Sequence, residues 1–432
     1  MTTINSTIKF NATTGSDTQA SGCGPVTAVY GSSAETDGTG TVDVSMDGVS
    51  LSSISVGDLL FCDVSSGRKF AVITNVDTIN ETITCGDSFA TESGVSWAVG
   101  GKRATFENAA SRNLFNESSY VTATDVTFLV AETETDQTVS STLSRGASGI
   151  ANKTNFVFLS QNKSALISDG NFPTITVGQQ INTSFVGLKF LCTFSGTRNQ
   201  PAVQGGRMTF YDCDIGEDGG SNNFLEGVKS NTYGGFATLV RCNVYGTGLS
   251  GNGHGLRSTY YASGNISIED CVVKDFYYGV RVTETNIYVR SSILTNMHSA
   301  IYGRRRQVVV SRSILNEMQG DAIYFDNVSN YLTDENFGSR FFHYNIAVNV
   351  AGYIIKNDVH ATHEVHATAL GSLESSKAKW FTFNCPNKVQ GNAPMLEVEM
   401  TANPFVDSAN GDFNINATGG AVLRSTNYTL GE

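Results

Sequence analysis

Proline, cysteine and tryptophan are all scarce, at 6, 8 and 2 in 432 residues. So few prolines leave backbone ladders uninterrupted, and 44 glycines among abundant Ser, Thr and Asn predict many tight turns between hydrogen-bonded strands. The cysteines (23, 62, 85, 192, 213, 242, 271, 385) include no Cys-x-x-Cys pair. That excludes a thiolate zinc knuckle or a dense disulfide scaffold, and buried, reduced thiols are expected. No run approaches the ~18 consecutive apolar residues of a membrane-spanning helix, and Met1 to Phe10 lacks the basic start and apolar stretch of a secretory signal. Neither membrane insertion nor that export route is expected. Positive charge is also short: 28 Lys and Arg against 40 Asp and Glu leave a net charge of −12. This speaks against a nucleic-acid partner, which needs a basic face to release counterions. The one basic run, Arg304 to Arg306, reads as a solvated turn. With 40% hydrophobic and 16% charged residues the chain is not a disordered polyelectrolyte, and a packed core is expected.

Along the chain, residues 1–40 are rich in Gly, Ser, Thr and Asp and read as an N-terminal arm or linker. Residues 41–103 carry short alternating runs (Thr41-Val-Asp-Val, Leu59-Leu-Phe-Cys62, Phe70-Ala-Val-Ile73, Thr82-Ile-Thr-Cys85, Trp97-Ala-Val99) and predict a small antiparallel β module. Residues 104–150 hold a capping helix over Thr105 to Phe115, with Thr105 as N-cap, and entry strands. Residues 151–427 form the repetitive region, and 428–432 a C-terminal tail.

The repeat decides the fold. Strand-like runs end in a small or polar residue at Cys192, Cys213, Cys242, Cys271, Ser292, Ser313, Asn345 and Cys385, with spacings of 21, 29, 29, 21, 21, 32 and 40. One turn of constant length carrying variable loops accounts for them. A second register, small then apolar, accompanies it: Gly227-Val228, Gly255-Leu256, Gly279-Val280, Ala300-Ile301, Ala322-Ile323, Gly352-Tyr353. Regular leucines and an Asn ladder are missing, so a leucine-rich repeat is set aside. The class is all-β: a right-handed parallel β-helix, a solenoid whose coils stack about 4.8 Å apart, with a small N-terminal β module. The marker residues then share one inward row.

Asn403-Pro-Phe-Val-Asp-Ser-Ala-Asn-Gly-Asp-Phe413 is similar to the closing segment of many right-handed parallel β-helix proteins, Pro-x-Phe-x-Asp, a spacer, then Gly-Asp-Phe before the last coil. With the β module ending in Trp97-Ala-Val-Gly-Gly-Lys-Arg103 and the Gly/Ser/Thr/Asn-rich surface, the layout over residues 40–427 resembles tailed-phage virion proteins of the tailspike and tail-fibre kind. The resemblance implies location in the virion, attachment to other virion proteins through the N-terminal region, and a homo-oligomer, commonly a trimer.

Candidate sites follow from the chemistry of polysaccharides. Glycosidic cleavage needs two placed carboxyl groups, and Asp212 and Asp214, flanking inward Cys213, would lie about 6.5–7 Å apart on an extended strand, near the lower end of an inverting separation. Outward polar residues beside the marker are also the rule of the repeat, so a solvated strand competes. Tyr260, Tyr261, Phe276, Tyr277 and Tyr278 lie in consecutive coils and suit stacking on sugar rings, against packing between coils or subunits. Gly251-Asn-Gly-His-Gly-Leu256 superficially looks like the Gly-His-Gly motif of polygalacturonases. The accompanying Gly-Asp-Asp and Arg-Ile-Lys are absent, and Gly255-Leu256 belongs to the repeat, so it reads as a structural turn. His360, His363 and His366, with His343 upstream, read as part of a protruding polar loop, with metal binding by the three left open. No cofactor and no metal are expected.

The expected function is adhesion: a virion protein, tailspike- or fibre-like, presenting a β-helix flank to a host surface polysaccharide. Two alternatives stand beside it. One is a depolymerase, a glycoside hydrolase or polysaccharide lyase; the other is a capsid decoration or cement protein.

Overall fold

The computed structural model describes residues 5–105, 128–140, 142–145, 155–195, 200–231, 234–249, 253–259, 264–283, 285–303, 307–325, 340–357, 373–374, 379–385, 395–399, 402–410, 412–417 and 420. It divides into two compact units, Met1–Arg198 with Ala202–Asp214, and Asn199–Pro201 with Ile215–Glu432. The expected helix over 105–115 lies outside the described residues beyond Thr105, as do His360, His363, His366 and the run 304–306.

In the first unit, Val29–Thr36, Thr41–Asp43, Leu59–Val64, Gly67–Asp77, Thr82–Cys85 and Glu92–Val99 close into an antiparallel barrel. Alternation drives it: Thr82–Cys85 buries every second side chain, and Val42, Leu60, Cys62, Ile73, Ile83 and Trp97 fill the inside. Closure leaves no exposed strand edge. Residues 1–40 are not a separate arm. Asn5–Phe10 pairs in parallel with Phe128–Thr133, and Val29–Thr36 is a barrel strand. The polar average of that segment hides the alternation Ile8-Lys9-Phe10, whose apolar members are fully buried.

The same unit begins the parallel stack. Ala131, Phe158, Phe185 and Phe210 occupy one register position in successive coils. Phe158 and Phe185 stack at 5.4 Å between centroids, and Phe185 and Phe210 at 4.6 Å.

The second unit is a parallel β-helix with three strand faces per coil. Phe236–Val240, Asn265–Glu269, Asn286–Arg290, Val308–Ser311 and the start of Arg340–Val350 form one face. Asn243–Tyr245, the starts of Val272–Arg281 and Ile293–Gly303, Ile314–Met318 and the second half of Arg340–Val350 form the next. Glu226–Ser230, His254–Ser258, the ends of Val272–Arg281 and Ile293–Gly303, Ile323–Phe325 and Tyr353–Asn357 form the third. Val228, Leu256, Val280, Ile301, Ile323 and Ile355 stack as one inner column of the third face and are all buried.

The corner between the first two faces explains the marker. Arg241, Asp270, Ser291, Arg312 and Tyr344 each adopt a positive φ near 50°, which turns the chain inward at the next residue. That residue is Cys242, Cys271, Ser292, Ser313 or Asn345. Each backbone N–H of the first four donates to the marker side chain of the following coil, at 3.3, 3.1, 3.3 and 3.1 Å. Two expected members are misplaced. Cys192 pairs with Ser168, while the turn of its coil is made at Gly187 (φ 63°), so Leu188, whose carbonyl accepts from Asp214 N–H, takes the marker position beside Cys213. Cys385 ends a strand, Lys379–Cys385, that runs antiparallel to Arg340–Val350 and sets Cys385 opposite Arg340. The parallel stack therefore stops short of 427. In the second register, Ile355 pairs with Ile323, so Ile354-Ile355 replaces the expected Gly352-Tyr353. The segment resembling a β-helix closure is a two-stranded antiparallel ribbon, Phe405–Asp407 with Asp412–Ile415, held by an edge-to-face contact of Phe405 and Phe413.

Candidate functional site

On the third face of the second unit, the residue after the inner column is Lys229, Arg257, Arg281, Tyr302, Tyr324 or Lys356, one per coil and in register. Parallel stacking repeats each position about every 4.8 Å, so the sequence generates a linear track of cations and rings. Arg281 lies over the rings of Tyr278 and Tyr302, each 5.4 Å from the guanidinium carbon. Tyr302 meets Tyr324 edge to face at 5.4 Å, and Lys356 Nζ sits 5.0 Å from the Tyr324 centroid. Such cation–ring contacts hold long side chains in place without neutralising them.

A second row flanks this track. Glu226, His254, Tyr278 and Ser299 pair across consecutive coils. Arg257 Nη1 donates to Glu226 Oε1 at 2.6 Å, and His254 Nδ1 lies 3.3 Å from the same oxygen. Arg281 Nη1 stands 3.0 Å from His254 Nε2. A guanidinium only donates, so Nε2 accepts and the imidazole carries its proton on Nδ1, toward Glu226. Burial holds the His254 pKa below its usual value, assisted by Arg257 and Arg281 and opposed by Glu226. Burial pushes the Glu226 carboxyl up, but the hydrogen bonds and charges of His254 and Arg257 outweigh it and leave its pKa below the ordinary one. At neutral pH the cluster holds one carboxylate, a neutral imidazole and two guanidiniums. The excess is one positive charge, in a chain whose net charge is −12.

The sequence-nominated residues fall as follows. Tyr277 and Tyr278 are half-buried on the outside of this face: Tyr277 stacks on His298 at 4.4 Å, and Tyr278 on His254 at 5.8 Å. Phe276 is fully buried, so as a sugar-stacking residue it is corrected to a core residue. Tyr260 and Tyr261 lie outside the described residues. His254, read from sequence as part of a turn, is the hub of the polar cluster. In the sequence Glu226 reads only as a carboxylate following Asp212 and Asp214, and Arg257 and Arg281 were not singled out. Their signal was present, because Lys229, Arg257 and Arg281 each follow the small residue of the second register by two positions.

Asp212 and Asp214 belong to the first unit. They flank fully buried Cys213, but Asp212 is the positive-φ residue of the corner (53°), so the extended-strand separation does not describe them. Asp214 Oδ2 accepts from Lys163 Nζ at 2.9 Å. Among the described residues no group of three or more His, Cys, Asp and Glu side chains is arranged to hold a metal ion.

No known protein family and no curated protein matches the chain. Among solved structures it is similar to the catalytic domain of a GH87 alpha-1,3-glucanase in complex with tetrasaccharides, at TM-score 0.27 and 9% identity, covering 76% of this chain and 79% of that one. A second structure of such a glucanase domain gives TM-score 0.26 and 10% identity over the same shares. A Gp54 tailspike of Acinetobacter baumannii bacteriophage AP22, in complex with A. baumannii capsular saccharide, is matched at TM-score 0.22 and 9% identity, over 76% of this chain and 64% of that one.

Proposed function

We propose that this chain is a glycan-binding β-helix protein whose third face takes an acidic polysaccharide along the track from Lys229 to Lys356. The observation that carries the reading is the in-register succession Arg257, Arg281, Tyr302, Tyr324, Lys356, one side chain per coil. Guanidiniums and the ammonium receive the carboxylates or phosphates of the polymer, and the half-buried Tyr324 ring receives the C–H face of a sugar, while Tyr302, only 8% exposed, holds Arg281 and Tyr324 in place. An extended polymer suits the track, because its side chains follow one another at the coil spacing of about 4.8 Å.

The wider role is a virion adhesin of the tailspike or fibre kind, anchored through its N-terminal region to other virion proteins. Copies gathered in a trimer would multiply weak contacts into firm attachment. A rigid solenoid and a closed barrel suit that work, and they suit a capsid decoration protein equally, so imaging where the protein sits on particles separates the two.

The binding test uses purified full-length chain and capsular polysaccharides with and without acidic groups. Arg281→Ala and Tyr324→Ala should each weaken acidic-polymer binding about tenfold or more, as loss of a charge-assisted bond or a stacked ring does. Unchanged affinity in both variants overturns the assignment. Release of reducing ends that vanishes in Asp212→Asn would establish the depolymerase instead.

A further inference from the structure

The second face of the second unit bears a cavity of about 320 Å³, bounded on one side by coil strands and on the other by Ser408, Asn410 and Phe413 of the C-terminal ribbon. Its strand side carries an apolar patch beside Lys274 and Thr295. Val272 and Ile293 stand next to each other in register on neighbouring coils and reach the cavity from the outer side of the strands. Tyr245 and Phe413 add rings, and Asp218, Lys274, Thr295 and Glu317 add polar groups. Lys274 Nζ donates to Asp218 Oδ1 at 2.6 Å. The ribbon is held in shape: Phe405 packs edge to face on Phe413, Asn410 donates to Asp407 at 2.6 Å, and Asn403 donates to Ser408 at 2.8 Å.

We propose that this cavity is a subsite for one uncharged sugar residue, separate from the acidic-polymer track and not dependent on it. An apolar patch, two aromatic rings and hydroxyl, amide, ammonium and carboxylate groups around it match a pyranose, which has apolar C–H faces and an equator of hydroxyls. Asp218 and Glu317 accept sugar hydroxyl protons, and Lys274 and Asn410 donate to sugar oxygens. Charge sets the specificity. Lys274 is already matched by Asp218, so Glu317 leaves the lining one negative charge in excess, and a uronate or sialate would be repelled. The volume lies at the small end of ligand pockets, roughly 300–1,000 Å³, which suits one ring better than an oligomer.

The probes are the methyl glycosides of glucose, galactose and N-acetylglucosamine, with glucuronate as the charged counterpart, observed by saturation-transfer NMR on the full chain. At least one uncharged glycoside should receive saturation and glucuronate should not. Asn410→Ala and Lys274→Met should each weaken that binding about tenfold. Arg281→Ala should leave it unchanged, which keeps the two sites distinguishable. Tyr245→Ala is the third variant, and circular dichroism checks that each is folded. No saturation of any uncharged glycoside overturns the proposal. So does stronger binding of glucuronate, or binding indifferent to all three cavity variants.

Discussion

The backbone N–H of Cys271 donates to Oγ of Ser292, one coil further on, across 3.1 Å. Ser292 in turn donates to the carbonyl of Arg290 at 2.7 Å, and its own N–H donates to Ser313 Oγ. Cys271, Ser292 and Ser313 thus each accept from the previous coil and donate within their own turn, whereas Asn345 accepts from Ser313 and donates back to the Val310 carbonyl of the previous coil. Ser292→Ala leaves the N–H of Cys271 sealed between coils without an acceptor. The expected loss is about 1–3 kcal/mol, the cost of one unsatisfied buried donor, read as a lower urea midpoint. Ser292→Cys should restore most of it, since Cys271 fills the same role toward Cys242. An alanine variant as stable as the parent would show that the column does not hold the coils.

The sulfur members of that column predict chemical silence. The hydrogen bond with Cys242 and burial hold the Cys271 thiol far above the ordinary range, and burial does the same for Cys62 and Cys85 in the barrel. The thiolate is the reactive form, so none of the three should react with Ellman's reagent at pH 8 until the chain is unfolded. The raised values also set a sign. Above about pH 8.5 the unfolded state loses thiol protons that the folded state retains, so stability should decline with rising pH there. Rapid native labelling of Cys271 would contradict its place between coils.

The solenoid was legible because every coil repeats one physical solution. A positive-φ residue must precede each inward marker, and Arg, Asp and Ser at 241, 270, 291 and 312 accept that outer position, which is why outward polar residues flank the repeat. The same fact undoes the extended geometry expected of Asp212 and Asp214, because Asp212 is itself a corner residue. Cys192 was misassigned because Phe190-Leu-Cys192 imitates the marker run, while the hydrogen-bond register is fixed by the turn at Gly187. Phe276 was misread since an aromatic beside two tyrosines does not reveal which way a corner sends it. The cation–aromatic track is invisible in any single segment. It emerges only when the Gly227, Gly255 and Gly279 column supplies the offset that aligns Lys229, Arg257 and Arg281.

That glycine column makes its own prediction. A Cβ on Gly255 would lie 2.6 Å from the carbonyl oxygen of Gly279 and 2.8 Å from Val273 Cγ1, and one on Gly279 would lie 2.7 Å from both Ala300 O and Met297 Sδ. Backbone of the next coil cannot move away without opening the ladder. Gly255→Ala should therefore destabilise by about 1–3 kcal/mol, the usual cost of overpacking, and Gly255→Val by more, with loss of soluble protein. Thermal unfolding of both variants beside Gly248→Ala, where added carbon meets open space but φ is 105°, separates crowding from backbone strain. Equal effects at the two positions would argue against crowding as the reason for the column.

Acid should weaken the cluster around His254 in two stages. Its pKa is lowered from 6.5 by burial and by Arg257 and Arg281, so below pH 6.5 the unfolded state takes up a proton that the folded state resists, and stability falls. The Glu226 pKa is lowered from 4.5 by His254 and Arg257 against the pull of burial, so its contribution is present above pH 4.5 and is lost as pH drops through the lower folded value. Both changes run the same way. Burial raises the pKa of Asp58, Asp87 and Asp275, which acts in the opposite direction, so the parent curve alone mixes the two tendencies. The difference between the parent and His254→Gln, measured as urea midpoints from pH 8 to pH 4, isolates the imidazole. The two curves should run parallel at pH 7 and above and converge as the pH falls below 6.5, because only the parent has to resist protonation there. Curves that stay parallel down to pH 5 would mean that His254 takes its proton freely in the folded chain, and that Arg281 does not face its unprotonated nitrogen.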